Sequence, residues 1–319
     1  MNELNSLLKS ISSQIKGKRE TKKIAISKEG IIWTPVDLVK TSFPEKRVET
    51  KDWLRQFERY SLNIHQSISD RPLPYGILAR EIFEYFFNEY VKRYNNNEYD
   101  ANKFTFQSIA DFFNKVKGQE HGTKVSTPQR VLALEMLLAF ESTCIRFKED
   151  LDPENNYYKS TNKFFFDTYV GPDHPKIDQK PENISNGEVI VYLEEKIFNR
   201  LAESKKVPIQ QYLLKLAGEN VTARDLSQFI SYQCNSLYRR GEEMIEIHSR
   251  DLRRMLGKEE YVGDKDFNKS LKRAMTLLIE RYEIQNPEDT FPANLVSKGR
   301  GKVYLQIFIP KIVENILCA

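Results

Sequence analysis

The segment Met244-Ile245-Glu246-Ile247-His248-Ser249, with the run Gly263-Asp264-Lys265-Asp266-Phe267-Asn268-Lys269 that follows it, decides how the chain is read. Met244–His248 is short and rich in large apolar side chains, which makes it a strand candidate. Ser249 is placed to accept from the free amides of a following turn and reads as an N-cap. The short helix it would start, Asp251 to Leu256, should stop at Gly257. After Gly263-Asp264 a longer helix begins. Its Phe267, Leu271, Ala274, Leu278 and Tyr282 recur at the spacing of one buried helical stripe. Lys265, Lys269, Lys272 and Thr276 fall on the opposite face, with Asn268 and Arg273 on its flanks. A strand-like Glu283-Ile284, a polar loop, the run Lys298-Gly299-Arg300-Gly301-Lys302 and a strand from Val303 to Ile309 complete the segment. Strand, helix, turn, helix and a hairpin with a basic tip is the order of a winged helix. That fold lays its second helix in the major groove and its wing along the phosphates.

Working upstream, the same order recurs without sequence identity. The helix Thr222–Tyr238 precedes the segment just quoted, and Ile77–Tyr94 is its counterpart, with Leu78, Ile82, Tyr85, Phe86, Tyr90 and Val91 as the expected buried face. Phe104–Phe106 is a brief strand. Ser108 caps a helix from Ile109 to Lys117, and Gly118 suits the left-handed residue that ends it. Thr127 as N-cap and Pro128 at the first helical position start a helix over Gln129–Ser142. Strands are expected at Arg59–His65, Cys144–Phe147, Phe164–Tyr169 and Glu188–Leu193. The expected fold is therefore α+β and mainly helical, with two tandem winged-helix domains and an N-terminal flexible arm. Its parts are a basic arm and irregular leader over 1–57, a first winged helix over 58–193, and a joining helix with the second over 194–319.

Composition sets the outer bounds. With 319 residues, 29% charged and 40% hydrophobic, the chain can build two ordinary cores in water. No apolar run approaches the roughly 20 residues of a membrane span, and no secretory signal opens the chain. Three scattered cysteines (Cys144, Cys234, Cys318) fit a reducing cytoplasmic location without disulfides. The net charge is only +4, but residues 1–28 hold seven basic side chains against Glu3 and Glu20. That tail reads as a solvated arm or as one that touches nucleic acid without sequence preference. Its Leu4, Leu7, Leu8, Ile11 and Ile15 also form a candidate amphipathic helix for docking or self-association.

Chemistry-bearing motifs are missing. Gly301-Lys302 is followed by Val303, so no nucleotide phosphate loop forms there. His65, His121, His174 and His248 are isolated, and no cysteine pair has zinc-ligand spacing. No catalytic residue, metal site or cofactor is expected. The reading is of a protein that is not an enzyme.

The expected partner is double-stranded DNA. Lys269, Arg273 and Asn268 are of the types that read guanine and adenine edges, and Lys265 and Lys272 share their helix. Lys298, Arg300 and Lys302 suit phosphates, which position a protein without specifying sequence. In the first repeat Lys124, Ser126, Gln129 and Arg130 surround the start of the corresponding helix. A plain solvated face would carry the same lysines. The later part of the first-repeat helix (Leu132, Leu134, Met136, Leu137, Leu138, Phe140) is apolar nearly all round, as a buried or self-associating surface would be.

Arg71-Pro72-Leu73-Pro74-Tyr75-Gly76-Ile77-Leu78-Ala79-Arg80 resembles a signature of plasmid replication initiators of the RepA type. The likeness extends over roughly residues 58–310, through the short helix Ile109–Val116, Val207-Pro208-Ile209 and the helix Ser227–Arg240. It departs at Ile82–Phe87 and in the loop after Gly118. The resemblance implies a sequence-specific initiator that binds repeated origin sequences (iterons), helps open adjacent DNA and recruits host replication proteins. It also implies repression of its own promoter as a homodimer. A winged-helix transcriptional regulator without a replication role is the alternative. Locally, Pro74-Tyr75-Gly76 is a turn feeding a helix, and Arg80 could serve as a structural partner.

Overall fold

The computed structural model describes residues 31–40, 42–57, 60–67, 71–149, 162–163, 165–170, 187–256, 258, 263–287, 289–299 and 302–309. The expected arm over 1–28, and with it Gly257, Phe164 and Arg300, lie outside these residues. The chain forms two compact units: Thr34–Lys206, and Val207 onward together with residues 31–33.

In the Thr34–Lys206 unit, the chain from β1 (Ile31–Pro35) enters helix α1 (Val36–Lys40) and strands β2 (Asp52–Phe57) and β3 (Tyr60–Gln66). The leader expected to be irregular is thus largely regular. Leu38 and Phe43 are buried in this unit's core, and the partly buried Trp53 packs against it, so tertiary contacts order a stretch with no periodicity of its own. Helix α2 (Gly76–Asn95) crosses this core. It ends at Asn96, and Asn97 takes the left-handed conformation (φ 54°) that asparagine tolerates. Five of the six expected inward residues are buried and Tyr85 is partly so, while Phe83 and Phe87 join them.

Strand β4 (Lys103–Phe106) leads to α3 (Ile109–Lys117). The Ser108 hydroxyl accepts from the Asp111 amide at 3.1 Å, and Gly118 closes the helix at φ 61°, as its sequence foretold. Helix α4 (Thr127–Glu141) starts one residue earlier than expected. Ser126 rather than Thr127 is the N-cap, because Gln129 folds back to accept from the Ser126 amide and hydroxyl. Its apolar run is buried from Ala133 to Phe140 apart from Glu135, which resolves that surface as core. Strands β5 (Thr143–Glu149), β6 (Asn162–Lys163), β7 (Phe165–Val170) and β8 (Val189–Leu193), then α5 (Glu195–Glu203), complete the unit. One sheet runs β2-β3-β5-β6 and another β4-β8-β7. The core of this unit is phenylalanine-rich: Phe86 meets Phe104 edge-on at 5.0 Å, and Phe106 meets Phe112 at 5.1 Å.

The second unit begins within β9 (Lys206–Gln210). Helices α6 (Gln211–Ala217) and α7 (Val221–Arg240) lead to β10 (Met244–His248), α8 (Ser249–Met255), α9 (Asp264–Gln285) and the hairpin of β11 (Ala293–Ser297) and β12 (Val303–Phe308). Asn220 caps α7 through its side chain, and Gly241 ends it at φ 68°. Two expectations are corrected here. The cap of α8 is His248, whose Nδ1 accepts from the Arg250 amide at 3.2 Å, while Ser249 is the first helical residue and is buried. Glu283-Ile284 is the last turn of α9, not a strand; Ile284 is exposed there, so no sheet face claims it. The first strand of the hairpin is instead β11, within the stretch read as polar loop. The sheet order β10-β12-β11 repeats that of β4-β8-β7, with the first strand beside the last.

Candidate nucleic-acid interface

Helix α9 is anchored by the stripe its sequence announced. Phe267, Leu271, Ala274, Leu278 and Tyr282 are all buried, against a core that includes Leu226, Phe229, Ile247, Leu305 and Ile307. With that face committed, the opposite one must face water. Lys265, Lys269, Lys272, Arg273 and Thr276 are exposed, and the four cations among them make no ion pair among the described residues. At 1.5 Å per residue, Lys265 to Lys272 spans roughly 10 Å of helix, close to the width of a major groove. Asn268 sits differently. It is half-buried, and its Oδ1 is enclosed without a hydrogen-bond partner among the described residues. Bidentate pairing with adenine would need that oxygen turned outward.

The N-terminus of α9 is electrostatically fastened. Asp264 and Asp266 occupy the first turn, where the helix dipole favours acids. Asp264 receives Arg250 at 3.2 Å and Arg253 at 3.1 Å, both from α8. The Arg250 side chain is 60% exposed and that of Arg253 only 21%, and the pairs use up two of the arginines on α8. Arg254 remains exposed and without an ion pair among the described residues. It was overlooked in the sequence, although the Arg253-Arg254 doublet marks it.

The hairpin turn is closed by the Lys298 amide donating to the Lys302 carbonyl at 2.9 Å, with Gly299 at φ 76°, a conformation glycine adopts freely. The two tip lysines differ. Lys298 Nζ lies 2.7 Å from Glu246 and 5.3 Å from the Tyr304 ring, so part of its charge is spent within the sheet. Its hydrogen bond, with one from Gln306, holds the Glu246 carboxyl below the usual carboxylate range. Lys302 is exposed and makes no ion pair among the described residues.

In the other unit Lys124, Ser126 and Gln129 are exposed and Arg130 is half-buried. Gln129 and Ser126 are occupied in the cap of α4, and Arg130 donates to Thr127 Oγ1 at 3.1 Å. Only Lys124 of this group is uncommitted. The start of α4 is therefore polar rather than a basic face.

Arg80, from the signature stretch, is buried. Its guanidinium donates to the carbonyls of Phe43 (2.7 Å), Gly76 (2.8 Å) and Pro44 (3.2 Å). It is an internal clamp. Among the described residues no cluster of three His, Cys, Asp or Glu could hold a metal ion, and no helix is long and apolar enough to cross a membrane.

No family model matches the chain, and no curated protein sequence matches it. Among solved structures it is similar to a crystal structure of domains 2 and 3 of the Vibrio protein RctB. The TM-score is 0.51 at 12% identity, over 86% of this chain and 96% of that one. A second RctB domain 2–3 structure aligns at TM-score 0.48 and 14% identity, over 89% of this chain and 100% of that one. The chain thus shares a mixed helix-and-strand fold with RctB domains 2–3.

Proposed function

We propose that this protein is a replication initiator that binds double-stranded DNA sequence-specifically through two tandem winged helices and catalyses no reaction. The observation that carries the reading is the outer face of α9: four cations with no ion pair among the described residues, on a helix whose other face is locked into a core, beside a hairpin that carries Lys302. Such a helix suits the major groove and such a hairpin the phosphates. Two further supports are independent of that face. RctB, whose domains share the fold, is a replication initiator of Vibrio chromosome II. The stretch Arg71–Arg80 resembles plasmid initiators of the RepA type, from which origin repeats, recruitment of host replication proteins, autoregulation and a homodimeric form are carried into the proposal.

The test is selection of duplexes from a random pool with the purified chain, then footprinting on DNA flanking its gene. Protection of direct repeats spaced at about two helical turns, roughly 21 base pairs, supports the reading. Loss of replicon maintenance on deleting the gene then separates an initiator from a transcriptional regulator. Absence of salt-dependent duplex binding refutes the DNA reading altogether.

A further inference from the structure

We propose that the buried ion pair Lys258–Asp225 is the positioning element that sets the angle of α9 on its core, and so the discrimination between DNA sequences; this rests on the DNA-binding reading above. Lys258 follows the end of α8, six positions before the first residue of α9, where a lysine would ordinarily be solvated. Here it is 1% exposed, and its Nζ reaches Asp225 on α7 at 2.9 Å, a carboxylate itself 3% exposed. The backbone of Lys258 is tied as well, its amide donating to the Arg253 carbonyl at 2.8 Å. One helical turn before Asp225, the buried Thr222 meets Ser270 of α9 through their hydroxyls at 3.3 Å. One face of α7 thus carries two polar anchors, one to Lys258 just past α8, the helix whose Arg250 and Arg253 pair with Asp264 in the first turn of α9, and one to the second turn of α9.

Leu226 and Phe229 of α7 also share an apolar core with Phe267, Leu271 and Ala274 of α9. Apolar burial is non-directional, and helix packing angles scatter by roughly 15–20° about their preferred values. A buried ion pair is a poor stabiliser, because attraction inside the protein only about offsets the hydration both charges lose. What it adds is direction. Base reading needs side chains placed to within about half an ångström, whereas phosphate contacts tolerate more. An anchor on the helix that holds the first turn of α9 controls the first far more than the second. The Arg250 and Arg253 pairs with Asp264 carry that anchor from α8 to the first turn of α9, the Arg253 side chain being only 21% exposed.

The test compares the intact chain with the double variant Lys258→Met/Asp225→Ala and with Lys258→Arg, which retains the charge. Affinity is measured for a duplex selected by the wild type and for random duplex. In parallel, nitroxide labels at Arg239→Cys on α7 and Thr276→Cys on α9 report the distance distribution between the helices. Cys144 and Cys318 are replaced by serine for this purpose; Cys234 is buried, and burial pushes its thiol up to about 12, so it resists labelling. The expected result for the double variant is a broadened or shifted distribution and an unchanged melting temperature. Its preference for the selected duplex should fall by about tenfold or more, with random-duplex affinity and its salt dependence intact. Lys258→Arg should retain both the preference and the narrow distribution. An unchanged distribution overturns the proposal, and so does a double variant that fails to fold, for the pair would then be serving stability. A wild type that prefers no duplex refutes the DNA reading, while the label distances still decide whether the pair orients α9.

Discussion

Replacing Arg80 by alanine tests whether the signature stretch is an internal clamp or a contact surface. The side chain makes three hydrogen bonds to main-chain carbonyls, two of them under 3 Å, and they join the chain at Phe43-Pro44 to the first turn of α2. The Gly76 amide adds a fourth link, to Pro44 at 2.9 Å, and Gly76 itself sits at φ 72°. Hydrogen bonds to a charged group each contribute roughly 1.5–3 kcal/mol, and bonds sharing one guanidinium add less than fully. The expected loss is therefore about 3–5 kcal/mol. For a unit of this size, about 2–4 °C per kcal/mol gives a melting point lower by roughly 6–20 °C. Arg80→Lys should recover only part of it, because an ammonium cannot span the carbonyls with a planar fork. Differential scanning calorimetry is the assay, with Lys92→Ala on the exposed side of α2 as the control, expected to shift by no more than about 0.5 kcal/mol. If Arg80→Ala melts within about 2 °C of wild type yet loses DNA binding, the clamp interpretation is refuted and Arg80 is a contact residue.

Phe267 is fully buried under α9, so Phe267→Ala should cost roughly 3–5 kcal/mol in a circular-dichroism melt; an unchanged melt would remove it from the core. Arg273→Ala should weaken a selected duplex by roughly 1–3 kcal/mol and relax one base preference, while Lys302→Ala weakens all duplexes alike and lowers the salt slope by about one. Gel-shift titrations matching wild type for both would undo the contact assignment. Burial alone would push the Asp111 carboxyl up, but the Gln107 amide, His121 and Lys115 outweigh it and hold it below the usual range. Its contribution is thus present above the unfolded pKa of about 4 and lost as pH falls through the lower folded value. Asp111→Asn should flatten the decline of the urea midpoint between about pH 6 and about pH 3, and an unchanged slope would argue against that balance.

Where sequence reading succeeded, the information was local. Ser108 and Gly118 bracket α3 because capping is settled within one turn of the chain, and the α9 stripe follows from 3.6-residue periodicity. The two shifted caps show the limit. Ser249 and Thr127 are capable of capping, but a neighbour, His248 or Ser126, took the position once a distant strand or a folded-back Gln129 fixed the entry geometry. Ile284 reads as β-forming, yet the helix continues through it with no strand partner there to compete. For the candidate interface, the outward lysines of α9 were visible as the complement of its apolar stripe. The commitments of Lys298 and Gln129 were not, since each depends on which side chain happens to lie nearby.

By itself the sequence determined helices α2, α3, α4, α7 and α9 and the buried faces of α2 and α9, because hydrogen bonds within a helix join residues four apart and its apolar period is written in the chain. The tertiary structure alone decided which strands pair. Strand β5 joins β3 in a separate sheet and leaves β7 and β8 to form the hairpin beside β4. It alone also decided that Lys258 lies buried against Asp225 rather than in water, and that Arg80 grips three carbonyls. Strand partners and buried charges are chosen across tens of residues by shape and desolvation, which no local pattern records.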